Sequence, residues 1–333
     1  MRHTLFFLTK FIVATTILLV FTSCNTIDKT PNNGKSSKST AALENTEKDL
    51  TNYNDKGKIR NETKAMVLAA PTWKTNNQQS SATEKITLVY VKAESNNITD
   101  VSAWVKKYNI DFDYCTNSTF KSSDKILNCG VMIPQQWKGL QLNKTHYGES
   151  YNIAIYGNDL SGGNHVVLLD ALDGEIFKVY DFSKYLFSPN FIKEDANYIT
   201  QSVQWAQLQN DVLYVANYHN TYAKSSGNLN GYINAINVKT NEVLWRSDAL
   251  VCNSNNFVLY KNYIIAGYGF TAEDDFLYFI DKTNGKTYGR SAVKTAPEWL
   301  YLRDEKLYVR SYNTDYIVTI AMEGSGADIE KIE

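Results

Sequence analysis

The chain has 333 residues and carries 34 Lys and Arg against 35 Asp and Glu, a formal charge of −1, so no basic field supports nucleic-acid binding. Its length allows one large domain or two small ones, and 13% aromatic residues, with 23 Tyr, suit half-buried strands. Four Cys without a C-x-x-C or a vicinal pair, and four His without ligand spacing, lend no support to a zinc or redox centre.

Residues 1–23 read as a secretory signal. Arg2, His3 and Lys10 form a basic start, and Phe11 to Phe21 are apolar. That stretch is too short for a bilayer, which needs about 20 residues. The small residues Thr22 and Ser23 then precede Cys24. The segment resembles a bacterial lipoprotein signal, and the resemblance implies cleavage before Cys24 and lipidation of its thiol. Cleavage removes two of the 34 basic residues and none of the acidic ones, leaving a mildly acidic mature chain. Asn25 follows Cys24 without an Asp or an acidic run. By resemblance to lipoprotein sorting rules, this implies the outer membrane facing the periplasm, with the cell surface as the alternative. The lipid would be the sole membrane contact.

Residues 24–84 are predicted to be a mostly disordered tether, since Asn, Lys, Ser and Thr dominate and little apolar surface offsets ordering entropy. A coil the length of residues 25–63 spans about 35 Å. One apolar patch, Ala65 to Trp73, is expected to dock on the folded body. Residues 85–136 follow as a degenerate blade or a small cap. Ile86 to Ala93 is predicted as a strand by its β-branched and aromatic content. Thr99 to Asn109 is predicted as a helix, capped by Thr99 or Asp100, with Val101, Trp104 and Val105 on one face. Ile110 to Cys115 reads as a further strand. Cys115 and Cys129 flank a Ser- and Lys-rich loop, and an exported protein permits a bridge between them; two unrelated buried thiols is the alternative. Cys252 reads as a small core residue.

Residues 137–333 contain a repeat. Four copies begin at Trp137, Trp205, Phe257 and Trp299, spaced 68, 52 and 42 residues apart. Each has a second strand bearing Tyr156, Tyr218, Tyr268 or Tyr312, aligned here as one position. Each third strand ends in a turn, at Asp173-Gly174, Asn241, Asn284-Gly285 and Gly324-Ser325-Gly326, where residues that tolerate positive φ are needed. A strand-only repeat of this length predicts a β-propeller of four-stranded blades. The excess length falls in Ser188 to Ser202 and in His219 to Gly231, and such insertions map to loops on one face.

The stretch Gly231 to Asp248 (GYINAINVKTNEVLWRSD) resembles the PQQ-like β-propeller repeat, whose terminal Trp packs between neighbouring blades. Phe276 to Ser291 resembles it with Tyr288 at the Trp position, and Val166 to Asp181 with Phe177 nearby. The resemblance implies an all-β propeller of PQQ-like blades, four of them clear and five or six left open, after a short α/β or degenerate-blade segment. It is also similar to exported propeller lipoproteins such as the B component of the β-barrel assembly machinery, with fewer blades. A quinone is not implied, because the vicinal cysteines that stack it are absent.

Few residues suggest chemistry. Tyr218 and His219, adjacent on the long hairpin, are the candidate ligand-facing pair, though a lone loop His is more often solvated. Glu273, Asp274 and Asp275 lack calcium-loop spacing. No catalytic constellation, metal site or cofactor is expected. The sequence therefore reads as a non-catalytic binding or assembly scaffold for another envelope protein. The alternative is a carbohydrate-active or ligand-sensing propeller, lyase-like, glycosidase-like or glycan-binding.

Overall fold

Asn, Asp and Gly turns cut the chain into short segments rich in β-branched and aromatic residues, and nearly every such segment is a strand. The structure, a computed structural model, describes residues 64–75, 86–112, 114–116, 133–159 and 161–322. The signal segment, Cys24, Cys129 and the Gly324–Gly326 turn lie outside the described residues, so the Cys115–Cys129 pairing does too.

The chain opens with β1 (Met66–Val67), β2 (Ile86–Ser95), the helix α1 (Val101–Lys107), β3 (Tyr114–Thr116) and β4 (Gln136–Trp137). Asp100 caps α1 by accepting the Ala103 N–H at 2.9 Å. Four antiparallel meanders follow. The first comprises β5 (Leu140–His146), β6 (Tyr151–Gly157), β7 (His165–Asp170) and β8 (Ile176–Asp181). The second comprises β9 (Ser202–Gln209), β10 (Val212–Tyr218), β11 (Tyr232–Asn237) and β12 (Val243–Arg246). The third comprises β13 (Val258–Tyr260), β14 (Tyr263–Tyr268), β15 (Phe276–Asp281) and β16 (Thr287–Ala292). The last has β17 (Pro297–Arg303), β18 (Lys306–Ser311) and β19 (Thr314–Met322), and β2 supplies its outer strand. Consecutive four-stranded meanders, the last closed by a strand from the other end of the fold, make this a β-propeller. β1, β3 and β4 extend the first sheet.

A bulge recurs in the first strand of three of the four meanders. Val203 pairs with Asn217 and Trp205 with Ala216, skipping Gln204. Leu142 pairs with Tyr156 and Lys144 with Ile155, skipping Asn143. Pro297 pairs with Ser311 and Trp299 with Arg310, skipping Glu298. The extra residue re-aims the one after it, so Lys144, Trp205 and Trp299 are equivalent. In the third blade Val258 pairs with Ile265, which places Phe257 beside Ala266 at the same level.

This register corrects the repeat alignment. Lys144, not Trp137, heads the first blade; Trp137 folds back on β5 and packs on the Tyr156 and His165 rings instead. Tyr218, Tyr268 and Tyr312 stand two residues past Ala216, Ala266 and Arg310, whereas Tyr156 stands one past Ile155. One residue of slip reverses the face of a strand. Tyr156 accordingly lies in a core with Trp137, while Tyr218 and Tyr268 enter a different one with Trp205. Tyr312 is exposed.

The outer strands need a similar correction. Trp245 pairs with Ala235, Lys178 with Leu168 and Gly289 with Phe279, each just after a bulged residue. Lys178 and Gly289 are thus the counterparts of Trp245, and Phe177 and Tyr288 fall one residue short. The turns behave as their residues require, with φ of +70° at Gly174, +66° at Asn241 and +72° at Gly285.

The apolar patch of residues 65–73 docks on the body. β1 runs parallel to β8, Leu68 is buried, and its N–H donates to the Asp181 carbonyl at 3.1 Å. Trp73 meets Tyr232 of the second blade edge-on at 5.7 Å.

Candidate binding face

The four equivalent positions at the first strands of the meanders converge. The Lys144 amine lies 5.4 Å from the Trp205 ring and 5.9 Å from the Trp299 ring, and Trp205 meets Phe257 edge-on at 6.4 Å. The amine donates to the Asn255 carbonyl at 2.9 Å. Burial among rings disfavours its charged form and pulls its pKa down to about 7. Phe112, just after α1, packs on Trp299 at 5.8 Å and Tyr301 at 5.6 Å, adding to this aromatic fill. Stacking and dispersion hold this centre, with one amine among the rings.

The loops carry the more varied chemistry. The insertion of residues 188–202 and the hairpin of residues 219–231 pack on each other. Ile192 N–H donates to the Ser225 carbonyl at 2.8 Å, the Ser188 hydroxyl donates to the Ser226 carbonyl at 3.2 Å, and the Gln201 amide donates to the Leu229 carbonyl. Within the hairpin, Asn230 accepts the His219 N–H at 2.9 Å and donates to the His219 carbonyl at 3.0 Å. The hairpin forms a ridge with a concavity on either side.

One concavity, about 500 Å³, lies between the ridge and the third blade. Its walls mix charge and rings: Lys224, Arg290, Glu273 and Asp274 with Tyr222 and Phe276. Glu273 is held in place, accepting the Tyr268 hydroxyl and the Ala223 N–H, both at 2.7 Å. Burial beside Asp274 and Glu273 raises the Asp275 carboxyl to about 6. Among the described residues, no group of three or more His, Cys, Asp or Glu is arranged to hold a metal.

The other concavity, about 430 Å³, lies between the first and second blades, with Tyr218 and His219 in its wall. Both are buried, so His219 is not the solvated loop residue expected of a lone His. Its Nε2 is 2.7 Å from the Ser226 hydroxyl, and burial lowers its pKa to about 4, which keeps the ring neutral. The Tyr218 hydroxyl donates to the Ser254 carbonyl at 2.8 Å. The pair therefore shapes the cavity from behind. Its exposed lining residues include Asn158, just after β6, and Asn197 and Tyr198, in the short 3-10 helix of the insertion, and sequence reading missed them because the two segments meet only in the fold.

Arg246, at the end of β12, was also missed. It is buried, and none of its guanidinium nitrogens has a hydrogen-bond partner among the described residues. It is caged instead by rings, 3.8 Å from Tyr232, 4.5 Å from Trp73 and 5.1 Å from Tyr185. The Lys74 ammonium donates to the Arg246 carbonyl at 3.0 Å, and the Tyr232 hydroxyl to the Lys74 carbonyl at 3.0 Å.

No family model matches the sequence, and no curated protein does. Among solved structures, the chain is similar to the computationally designed Ika4 protein, with 11% identity and a TM-score of 0.35 over 54% of this chain and 89% of that one. It is similar to BamB from Moraxella catarrhalis at 12% identity and a TM-score of 0.30, covering 51% of this chain and 56% of that one. It is similar to Saccharomyces cerevisiae Sqt1 at 7% identity and a TM-score of 0.37, covering 55% and 46%. The chain thus spans about half the length of the two natural proteins, and the propeller assignment rests on the strand pairing above.

Proposed function

We propose that this is an envelope lipoprotein, anchored through Cys24, whose propeller is a non-catalytic scaffold for another envelope protein. The face built by the two insertions makes the contact. One observation carries this reading: Phe187, Phe191, Ile192 and Tyr198 are all exposed within or beside one insertion, from 41% to 66%. Hydrogen bonds to the neighbouring hairpin hold that insertion in place, so the apolar groups are presented rather than tucked away. Apolar clusters of this kind on a polar surface mark interaction sites. The docked segment supports the reading as well, since Met66 and Val67 pair with the first blade and Trp73 packs on the second, on the N-terminal side of the propeller sequence.

The test is chemical crosslinking in intact envelopes followed by pull-down of the full lipidated chain. A protein partner is expected, and a Phe187→Ser, Phe191→Ser double variant should lose it while remaining folded. Recovery of no protein partner, or recovery unaffected by the double variant, overturns the reading. Labelling with palmitate should depend on Cys24 and disappear in Cys24→Ala.

A further inference from the structure

The concavity between the first and second blades has a composition unlike that of the apolar cluster beside it. Its volume of about 430 Å³ falls within the ~300–1,000 Å³ range of small-molecule sites. Such sites are usually apolar with a few polar groups, but here the proportions are reversed. Amides, hydroxyls and glycine backbone dominate the wall, and no Lys or Arg contributes to it among the described residues.

Backbone constraints build its floor. The β6–β7 loop crosses to the second blade, where Gly163 and Val203 form a β-bridge with N–H to carbonyl distances of 3.1 and 2.6 Å. A Cβ on Gly162, whose φ is +148°, would lie 2.5 Å from the Ser202 Cβ. The loop can approach this closely because Gly162 has no side chain. Asp159 accepts the Ser161 N–H at 2.8 Å and the Ser161 hydroxyl at 2.5 Å, which fixes its carboxylate in the charged form. Gln204, the bulged residue of β9, donates to the Ser161 carbonyl at 2.9 Å.

Three amides from three elements surround this floor: Asn158 after β6, Asn197 in the insertion and Asn220 after β10. All are exposed. An amide presents donors and acceptors together, which matches a hydroxyl that must do both. Tyr198, 66% exposed at the rim, offers an apolar ring face with a polar tip. A ring face for C–H groups, amides for hydroxyls and no cation for an anionic group define a neutral polyhydroxylated ligand.

We infer that this cavity is a binding site for a neutral oligosaccharide, with Tyr198 stacking on a sugar ring and Asn158, Asn197 and Asn220 bonding its hydroxyls. The site binds and does not cleave: among the described residues Asp159 is the one carboxylate in its wall, where glycoside hydrolysis ordinarily uses two. This goes beyond the protein scaffold, and the two ideas fail separately: Tyr198 belongs to both surfaces, but the crosslinking variant alters only Phe187 and Phe191, and Asn158 and Asn220 lie outside the apolar cluster.

The experiment is isothermal titration of the full lipidated chain in a non-glycosidic detergent. The probes are malto-, cello-, xylo- and mannohexaose, with oligogalacturonate as the anionic arm. At least one neutral hexaose is expected to bind with Kd below about 1 mM. Tyr198→Ala and the Asn158→Ala, Asn220→Ala pair should each weaken it about tenfold, with unchanged circular dichroism and Tm. The inference is overturned if no neutral hexaose binds, if oligogalacturonate binds more tightly, or if both variants leave the affinity unchanged.

Discussion

Lys178 in the first blade and Trp245 in the second make the same inter-blade hydrogen bond with different chemistry. The Lys178 ammonium donates to the Val238 carbonyl, and the Trp245 indole N–H donates to the Lys282 carbonyl at 3.0 Å. Val238 and Lys282 are equivalent, each directly following the last residue of its third strand, Asn237 or Asp281. The turns that receive them differ to match. Gly285 has no Cβ, and one placed there would lie 2.3 Å from the Trp245 ring. Asn241 keeps its side chain, whose carbonyl oxygen accepts from the Lys178 ammonium at 2.6 Å and from the Tyr180 hydroxyl at 3.2 Å.

That matching makes the two turns unequal under substitution. Gly285→Ala places a side chain at positive φ and against the Trp245 ring, and is expected to cost at least ~1–3 kcal/mol. Asn241→Gly keeps the turn and loses two hydrogen bonds, about 1 kcal/mol each, partly offset by relief at its own φ of +66°. Urea denaturation of both variants measures the difference. Equal midpoints would refute the steric argument.

Lys144 gives the fold a pH dependence of known sign. Its folded pKa of about 7 lies below the ordinary lysine value, so between these pH values the unfolded chain binds more protons than the folded one. Its contribution to stability is therefore full above the ordinary lysine pKa and is lost as pH falls through about 7. Lys144→Met removes the titration while keeping much of the volume. The variant should be more stable than the parent at pH 7, and the parent's rise in stability above pH 7 should flatten. A parallel pair of stability–pH curves would contradict this.

The caged guanidinium predicts an asymmetry between its own removal and removal of its cover. Trp73→Ala takes away one face of the cage and is expected to destabilise by about 1–2 kcal/mol. Arg246→Met replaces a buried cation that has no hydrogen-bond partner among the described residues with an apolar group of similar length, a change that is often neutral or stabilising. It should fall within about 1 kcal/mol of the parent. Thermal unfolding of both variants decides, and a large loss in Arg246→Met would mean that the cation has an essential acceptor.

The last blade depends on β2. Deleting residues 64–95 removes the strand that pairs with Thr314–Met322 along its whole length and leaves β19 as an open edge. The deletion variant is expected to lose cooperative unfolding and to self-associate. A polar break confined to residues 76–84 should do neither. Size-exclusion chromatography and a denaturant titration separate the two outcomes.

The propeller was legible in the sequence because turn chemistry and strand length are local properties. Asn241 and Asn284-Gly285 marked their reversals, and the Ile86 strand and the Trp104 helix face followed from β-branching and spacing. Register was not legible. A bulge at Asn143 or Leu244 shifts every later side chain by one residue and leaves no mark in composition, so Trp137 and Tyr156 were aligned by identity while Lys144 held the equivalent place. The cage of Arg246 and the amides of Asn158, Asn197 and Asn220 were invisible for a related reason, since residues far apart in the chain meet only when blades pack. Sequence determined which segments extend and where they turn, because those choices are made within a few residues. Tertiary structure decided which faces are buried, which lysines replace tryptophans and what the loops enclose, because those outcomes depend on contacts between blades.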